Sequence, residues 1–135
     1  MILLKVAVCR NNIVLSGADR AQGNTLQYNS KCDGWDLAPT GWYRFQGDAG
    51  YRMADKCVPV HHCGTNTPGW LYGAHPTVIE GVVTRKVCYH WSNNCCNWNN
   101  TIRVKNCGSY FVYELRRTPV CLARYCGNAG AGEFL

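Results

Sequence analysis

The chain has 135 residues, 47% of them apolar, with ten cysteines and a formal net charge of +6. That length fits one domain with a real core, and no apolar run approaches the ~18 residues that a membrane-crossing helix needs. Only 16% of residues are charged and no C-x-x-C pair occurs, which argues against zinc-knuckle and thioredoxin-like spacings. An even cysteine count then reads as five disulfides in a secreted, extracellular chain.

The basic residues are scattered, with small groups at Arg85-Lys86, Arg103-Lys105 and Arg116-Arg117. A solvated surface accounts for them, and a patch for acidic glycans is the sharper alternative. Nucleic acid is not an expected partner of an extracellular chain.

In chain order, residues 1–8 (MILLKVAV) are apolar but carry Lys5 and lack the length and cleavage site of a signal peptide. They read as a strand and as the start of a fragment of a larger protein, without membrane insertion. Residues 2–8 and Ile13-Val14-Leu15 flank Arg10-Asn11-Asn12, which suggests a hairpin. Residues 16–31 read as polar surface loop, and residues 41–45 (GWYRF) as an aromatic, alternating strand. Residues 47–50 form a turn. Pro59 keeps the loop between Cys57 and Cys63 out of any central strand.

Residues 64–76 are turn-rich, with Trp70-Leu71 as an apolar anchor. Residues 77–89 (TVIEGVVTRKVCY) are the best long strand candidate, with Gly81 as a bulge. Residues 102–105 alternate Ile, Arg, Val, Lys as a half-buried strand and pair in a hairpin with residues 109–115 (SYFVYEL). Pro119 ends that pair. Residues 127–135 read as a Gly-rich linker or terminal tail. The fold class is therefore a small disulfide-rich, mostly β single module stapled by five disulfides.

Residues 88–107 (CYHWSNNCCNWNNTIRVKNC) concentrate the chemistry. Adjacent Cα atoms sit ~3.8 Å apart, whereas bridged ones span ~4.4–6.8 Å, so Cys95 and Cys96 should take different partners. Ten cysteines still allow about 945 pairings, which spacing does not resolve. Asn99-Asn100-Thr101 is the one full N-glycosylation sequon.

Other candidates have plainer readings. His61-His62-Cys63 invites a metal, but neighbours in extended chain face opposite ways, so neither metal nor cofactor is called for. Ribonuclease chemistry needs two histidines around a lysine, and lysozyme chemistry needs two carboxylates of separated pKa. Neither has a local motif among the four histidines and eight acids, so catalysis is not expected. Glu80, in an apolar setting, reads as a turn cap. Trp35, Trp42, Trp70, Trp91 and Trp98 either line a sugar site or pack around disulfides.

The residues also carry a resemblance. Trp42-Tyr43-Arg44-Phe45, Arg52-Met53-Ala54, Cys57-Val58-Pro59-Val60, Cys63, Trp70-Leu71, His90-Trp91-Ser92, Cys95-Cys96-Asn97-Trp98, Cys107, Cys121 and Tyr125-Cys126 resemble the uromodulin-like eight-cysteine module, and Cys9 and Cys32 resemble the upstream pair that extends it to ten cysteines. The likeness covers about residues 9–126. It implies the bridges Cys9–Cys107, Cys32–Cys121, Cys57–Cys95, Cys63–Cys126 and Cys88–Cys96. It also implies a non-enzymatic extracellular module whose mannose-rich N-glycan engages glycan-binding bacterial adhesins as a soluble decoy in host defence. The family's glycan-bearing position corresponds to Glu114-Leu115-Arg116 here, and a second one to Tyr72-Gly73-Ala74; neither is an acceptor. Asn99 remains. The expected partners are extracellular proteins or adhesins, with direct lectin-like or acidic-glycan binding as the alternative.

Overall fold

The computed structural model describes residues 7–26, 29–37 and 40–130. Its strands are β1 (Ile13–Leu15), β2 (Gly41–Phe45), β3 (Thr67–Tyr72), β4 (Val82–Trp91), β5 (Asn94–Asn106), β6 (Phe111–Leu115) and β7 (Ala123–Tyr125). They form one seven-stranded sheet in the order β1-β2-β6-β5-β4-β3-β7. The outer pairs, β1 with β2 and β7 with β3, are parallel, and the inner pairings are antiparallel.

Alternation along the strands divides the sheet into two faces. One face carries Tyr43, Phe45, Leu71, Val87, Tyr89, Ile102, Val104, Tyr113 and Leu115, and together with Met53 and Tyr125 these make the main core. Four of those side chains are tyrosines, and the buried hydroxyls find partners. Tyr113 Oη accepts from the Met53 N–H at 2.8 Å and bonds His75 Nε2 at 2.8 Å. Tyr89 Oη donates to Asn100 Oδ1 at 2.9 Å, Asn100 Nδ2 donates to Tyr125 Oη at 3.0 Å, and Tyr125 Oη donates to the Arg116 carbonyl at 2.8 Å. The Tyr89 ring needs Gly69 opposite it, because a Cβ there would lie 2.6 Å from that ring and 2.9 Å from the Arg124 carbonyl.

The other face holds a smaller core of Ala54, Val58 and Trp70 around the cystines Cys63–Cys126 and Cys88–Cys96. A buried ionic latch joins the edge of the sheet to the N-terminal segment. Asp33, fully buried in the helical turn Asp33–Asp36, accepts two hydrogen bonds from Arg20 at 2.6 and 3.0 Å and one from the Tyr125 N–H at 2.8 Å. Arg124 lies 3.8 Å from Asp33 and 3.3 Å from Asp19, which also pairs with Lys31 at 2.5 Å.

Several expectations change. Most of residues 1–8 lie outside the described residues, but residues 7–10 are helical. The Asn12 side-chain amide donates to the Val8 and Cys9 carbonyls at 3.1 and 3.2 Å, satisfying the end of that turn. The expected hairpin partner, residues 2–8, lies mostly outside the described residues; among the described residues β1 pairs in parallel with β2. The stretch 64–76 contains β3, whose first five residues are all buried. The expected strand 77–89 begins only at Val82. Thr77 and Glu80 hydrogen-bond reciprocally, Glu80 Oε1 accepting from the Thr77 N–H at 2.8 Å, and Gly81 at φ 69° closes the turn. This capping box leaves Ile79 98% exposed. Glu80 is thus a turn cap, as its setting suggested.

Candidate functional site: the β4–β5 hairpin

The long hairpin of β4 and β5 turns at Ser92-Asn93, both at positive φ (53° and 61°), the signature of a tight hairpin whose strands keep their native twist. Trp91 faces Asn94 and Tyr89 faces Trp98, so β5 carries two more residues than β4 between those pairs. The bulge holds Cys95 and Cys96. Cys95 bonds Cys57 and Cys96 bonds Cys88. With Cys9–Cys107, Cys32–Cys121 and Cys63–Cys126 this is the pairing the resemblance implies, and no cysteine is free.

The sequon lies further along β5 and is split by the strand's alternation. Asn99 and Thr101 are exposed, while Asn100 points inward to Tyr89 and Tyr125. Across the ladder Asn99 faces Cys88, and Thr101 faces exposed Lys86. The Lys86 ammonium sits 4.8 Å from the centre of the Tyr72 ring. Two residues beyond Thr101, Arg103 donates to both carboxylate oxygens of Glu114 at 2.8 and 2.7 Å and lies 5.5 Å from the Trp42 ring centre. That hydrogen bonding holds the Glu114 carboxyl below its ordinary range and raises Arg103. Glu114, where the resemblance led us to expect a glycan acceptor, is therefore a carboxylate tied to the neighbouring strand. The acceptor Asn99 stands roughly 13 Å from Arg103 along β5, at ~3.3 Å per residue.

The remaining candidates disperse. His62 Nδ1 bonds the Gln22 carbonyl at 2.7 Å, Cys63 is bridged to Cys126, and the His61 ring meets the Trp91 edge at 5.7 Å, so these three neighbours share no ligand. Trp70 packs among the cystines and donates to the Cys95 carbonyl at 2.9 Å. Trp98 packs against the main core, and Trp35 is exposed on the helical turn. The five tryptophans do not gather into one site. His75 is buried against Phe111 and Tyr113. Burial, reinforced by Arg52, pushes its pKa down to about 4 despite Asp55 nearby. Five of the eight acids face basic or turn partners: Asp33 with Arg20, Asp19 with Lys31, Asp55 with Arg52, Glu80 with Thr77 and Glu114 with Arg103.

Sequence reasoning missed one constellation. Cys57, Cys95 and His90 place their ligand-type atoms within 4.8 Å of one another. The two sulfurs are bonded together, so the oxidised protein offers no thiolate pair to a metal. The signal was present only as the Cys57-Val58-Pro59 and His90-Trp91 segments, 33 residues apart.

The uromodulin-like eight-cysteine domain family matches residues 43–127. The pancreatic secretory granule membrane major glycoprotein GP2 of Canis lupus familiaris is 46% identical over 122 residues, covering 90% of this chain and 23% of its own. Uromodulin of Mus musculus is 48% identical over 99 residues, 73% of this chain and 15% of its own. The chain spans less than a quarter of the length of these curated relatives.

Proposed function

Because the chain belongs to the uromodulin-like eight-cysteine family, we propose that it is a non-catalytic extracellular recognition module that displays an N-linked glycan at Asn99 to glycan-binding partners. The observation that carries this reading is the split sequon. Asn99 and Thr101 project from an exposed strand face, and Asn100 is pinned beneath them by two tyrosine hydroxyls. A glycan there leaves the core untouched and stands on a rigid base. That GP2 is a major glycoprotein of the secretory granule membrane supports an extracytoplasmic setting.

The reading follows the family's decoy chemistry to a new position. Glu114 and the Tyr72 segment offer no acceptor, so a mannose-rich chain, if it recruits adhesins, does so from the hairpin. The test uses the protein secreted from animal cells and a mannose-specific bacterial adhesin. Binding should vanish both on enzymatic removal of N-glycans and in Asn99→Gln. Binding that survives Asn99→Gln, or no binding by protein shown to be glycosylated at Asn99, refutes the proposal.

A further inference from the structure

Cystines in this protein differ in what surrounds them. Cys32, Cys63, Cys88 and Cys126 are fully buried, which shields at least one sulfur in three of the bridges, and both cysteines of Cys9–Cys107 are half-buried. Cys57–Cys95 alone has both cysteines exposed. It also has a neighbour the others lack. His90 Nδ1 lies 3.4 Å from Cys57 Sγ and 2.7 Å from the Val58 carbonyl. A carbonyl accepts but cannot donate, so that contact places a proton on Nδ1, directed at the Val58 carbonyl with the Cys57 sulfur beside it.

We propose that Cys57–Cys95 is a thiol-accepting site: an exchangeable bridge at which an external thiolate forms a mixed disulfide with Cys95. The attacking thiolate bonds Cys95 Sγ. The bond between Cys95 and Cys57 breaks, and its electron pair leaves on Cys57 Sγ. The His90 Nδ1–H, shared with the Val58 carbonyl, hydrogen-bonds the departing thiolate. The exchange conserves electrons, since one disulfide and one thiolate become another disulfide and another thiolate. Exchange speeds up when the leaving thiol is made more acidic, and an adjacent imidazole does this for Cys57.

The surroundings let the bridge open without unfolding the module. Cys95 stays placed through the Trp70 indole bond to its carbonyl and through Cys96, which remains joined to Cys88. The Cys57 loop stays anchored at its far end by Cys63–Cys126. What changes is a groove of about 430 Å³ between Pro59-Val60-His61 and His90-Trp91-Ser92-Asn93. The Cys57–Cys95 bond is the covalent tie between those two walls, and opening it leaves them joined by the His90–Val58 hydrogen bond and the His61–Trp91 ring contact.

Two sources could supply the thiolate, a small thiol or a protein dithiol. The oxidised, secreted protein is therefore titrated in parallel with reduced glutathione and with a reduced C-x-x-C protein, and released thiols are trapped by alkylation and located by peptide mass spectrometry. Cys57 should be alkylated first, with the added thiol on Cys95 and the other four bridges intact. An adduct in either arm supports the site and names its source. His90→Phe should slow exchange by at least about fivefold, while His90→Gln, which keeps an N–H donor, should be slowed less. Opening of another bridge before Cys57–Cys95, no adduct in either arm, or equal rates in wild type and His90→Phe would overturn the proposal.

Discussion

The protein contains the same chemical object twice, in opposite surroundings. Arg20 and Asp33 form a two-pronged guanidinium–carboxylate pair at 2.6 and 3.0 Å, and Arg103 and Glu114 form another at 2.8 and 2.7 Å. The side chains of the first are 6% and 0% exposed; those of the second are 48% and 19% exposed. In the latch every remaining lone pair must be met by protein, and Asp33 also takes the Tyr125 N–H and faces Arg124. On the sheet face, water meets whatever Glu114 leaves over. The bond lengths say little about worth; the cost of leaving one partner alone says most.

The largest effect should follow from Asp33→Ala. It leaves Arg20 without its carboxylate in the interior, while Arg124 keeps Asp19, and it removes the acceptor of a strand amide; breaking a buried pair costs about 3–5 kcal/mol. Denaturant unfolding with disulfides intact measures it; a loss below about 1 kcal/mol would place the latch with the surface pair.

His75 tests the comparison from a third side, since it is a buried titratable group that stays uncharged. Its pKa falls from an ordinary 6.5 to about 4 in the fold, first because of burial and then because of Arg52. The folded state therefore resists protonation. The stability it contributes is complete above about pH 6.5 and is lost as the pH falls toward 4. At ~1.36 kcal/mol per pKa unit this amounts to about 3 kcal/mol. His75→Gln should remove that part of the acid slope, so that between about pH 7.5 and pH 4 wild type loses about 3 kcal/mol more stability than the variant. An unchanged gap across that window would contradict the assignment.

The smallest effect belongs to Glu114→Ala, at below about 1 kcal/mol and shrinking further in added salt. A loss comparable to that of Asp33→Ala would dissolve the contrast.

How much of this could be read from the chain depended on where each residue's partner lay. β2, β6 and the Ile102–Lys105 part of β5 announced themselves because alternation of apolar and polar side chains is local. β3 did not, because Pro68 and Gly69 look like a turn. Gly69 is there for the Tyr89 ring, on a strand about 20 residues away. Val78 and Ile79 carried the composition of a strand and ended in a turn. The decisive signal was the Thr77-Val78-Ile79-Glu80 capping pattern, outweighed by two β-branched side chains that the fold leaves in water. At the candidate site, the sequon and its outward direction were legible, since Ile102 and Val104 fix the parity of Asn99. The latch and the Cys57–His90–Cys95 cluster were not, because each joins residues that only the topology brings together.

The three long-range cystines give the module a mechanical character. Tension applied between residues 9 and 126 does not travel along the intervening chain. It crosses from Cys9 to Cys107 and runs along residues 107–126, so unravelling can release at most about 65 Å rather than about 400 Å, at ~3.5 Å per residue. Cys32–Cys121 and Cys63–Cys126 fasten further segments onto that short load path. Cys57–Cys95 lies off it, so a thiol can open that bridge while the bound on the module's extension under load stays the same.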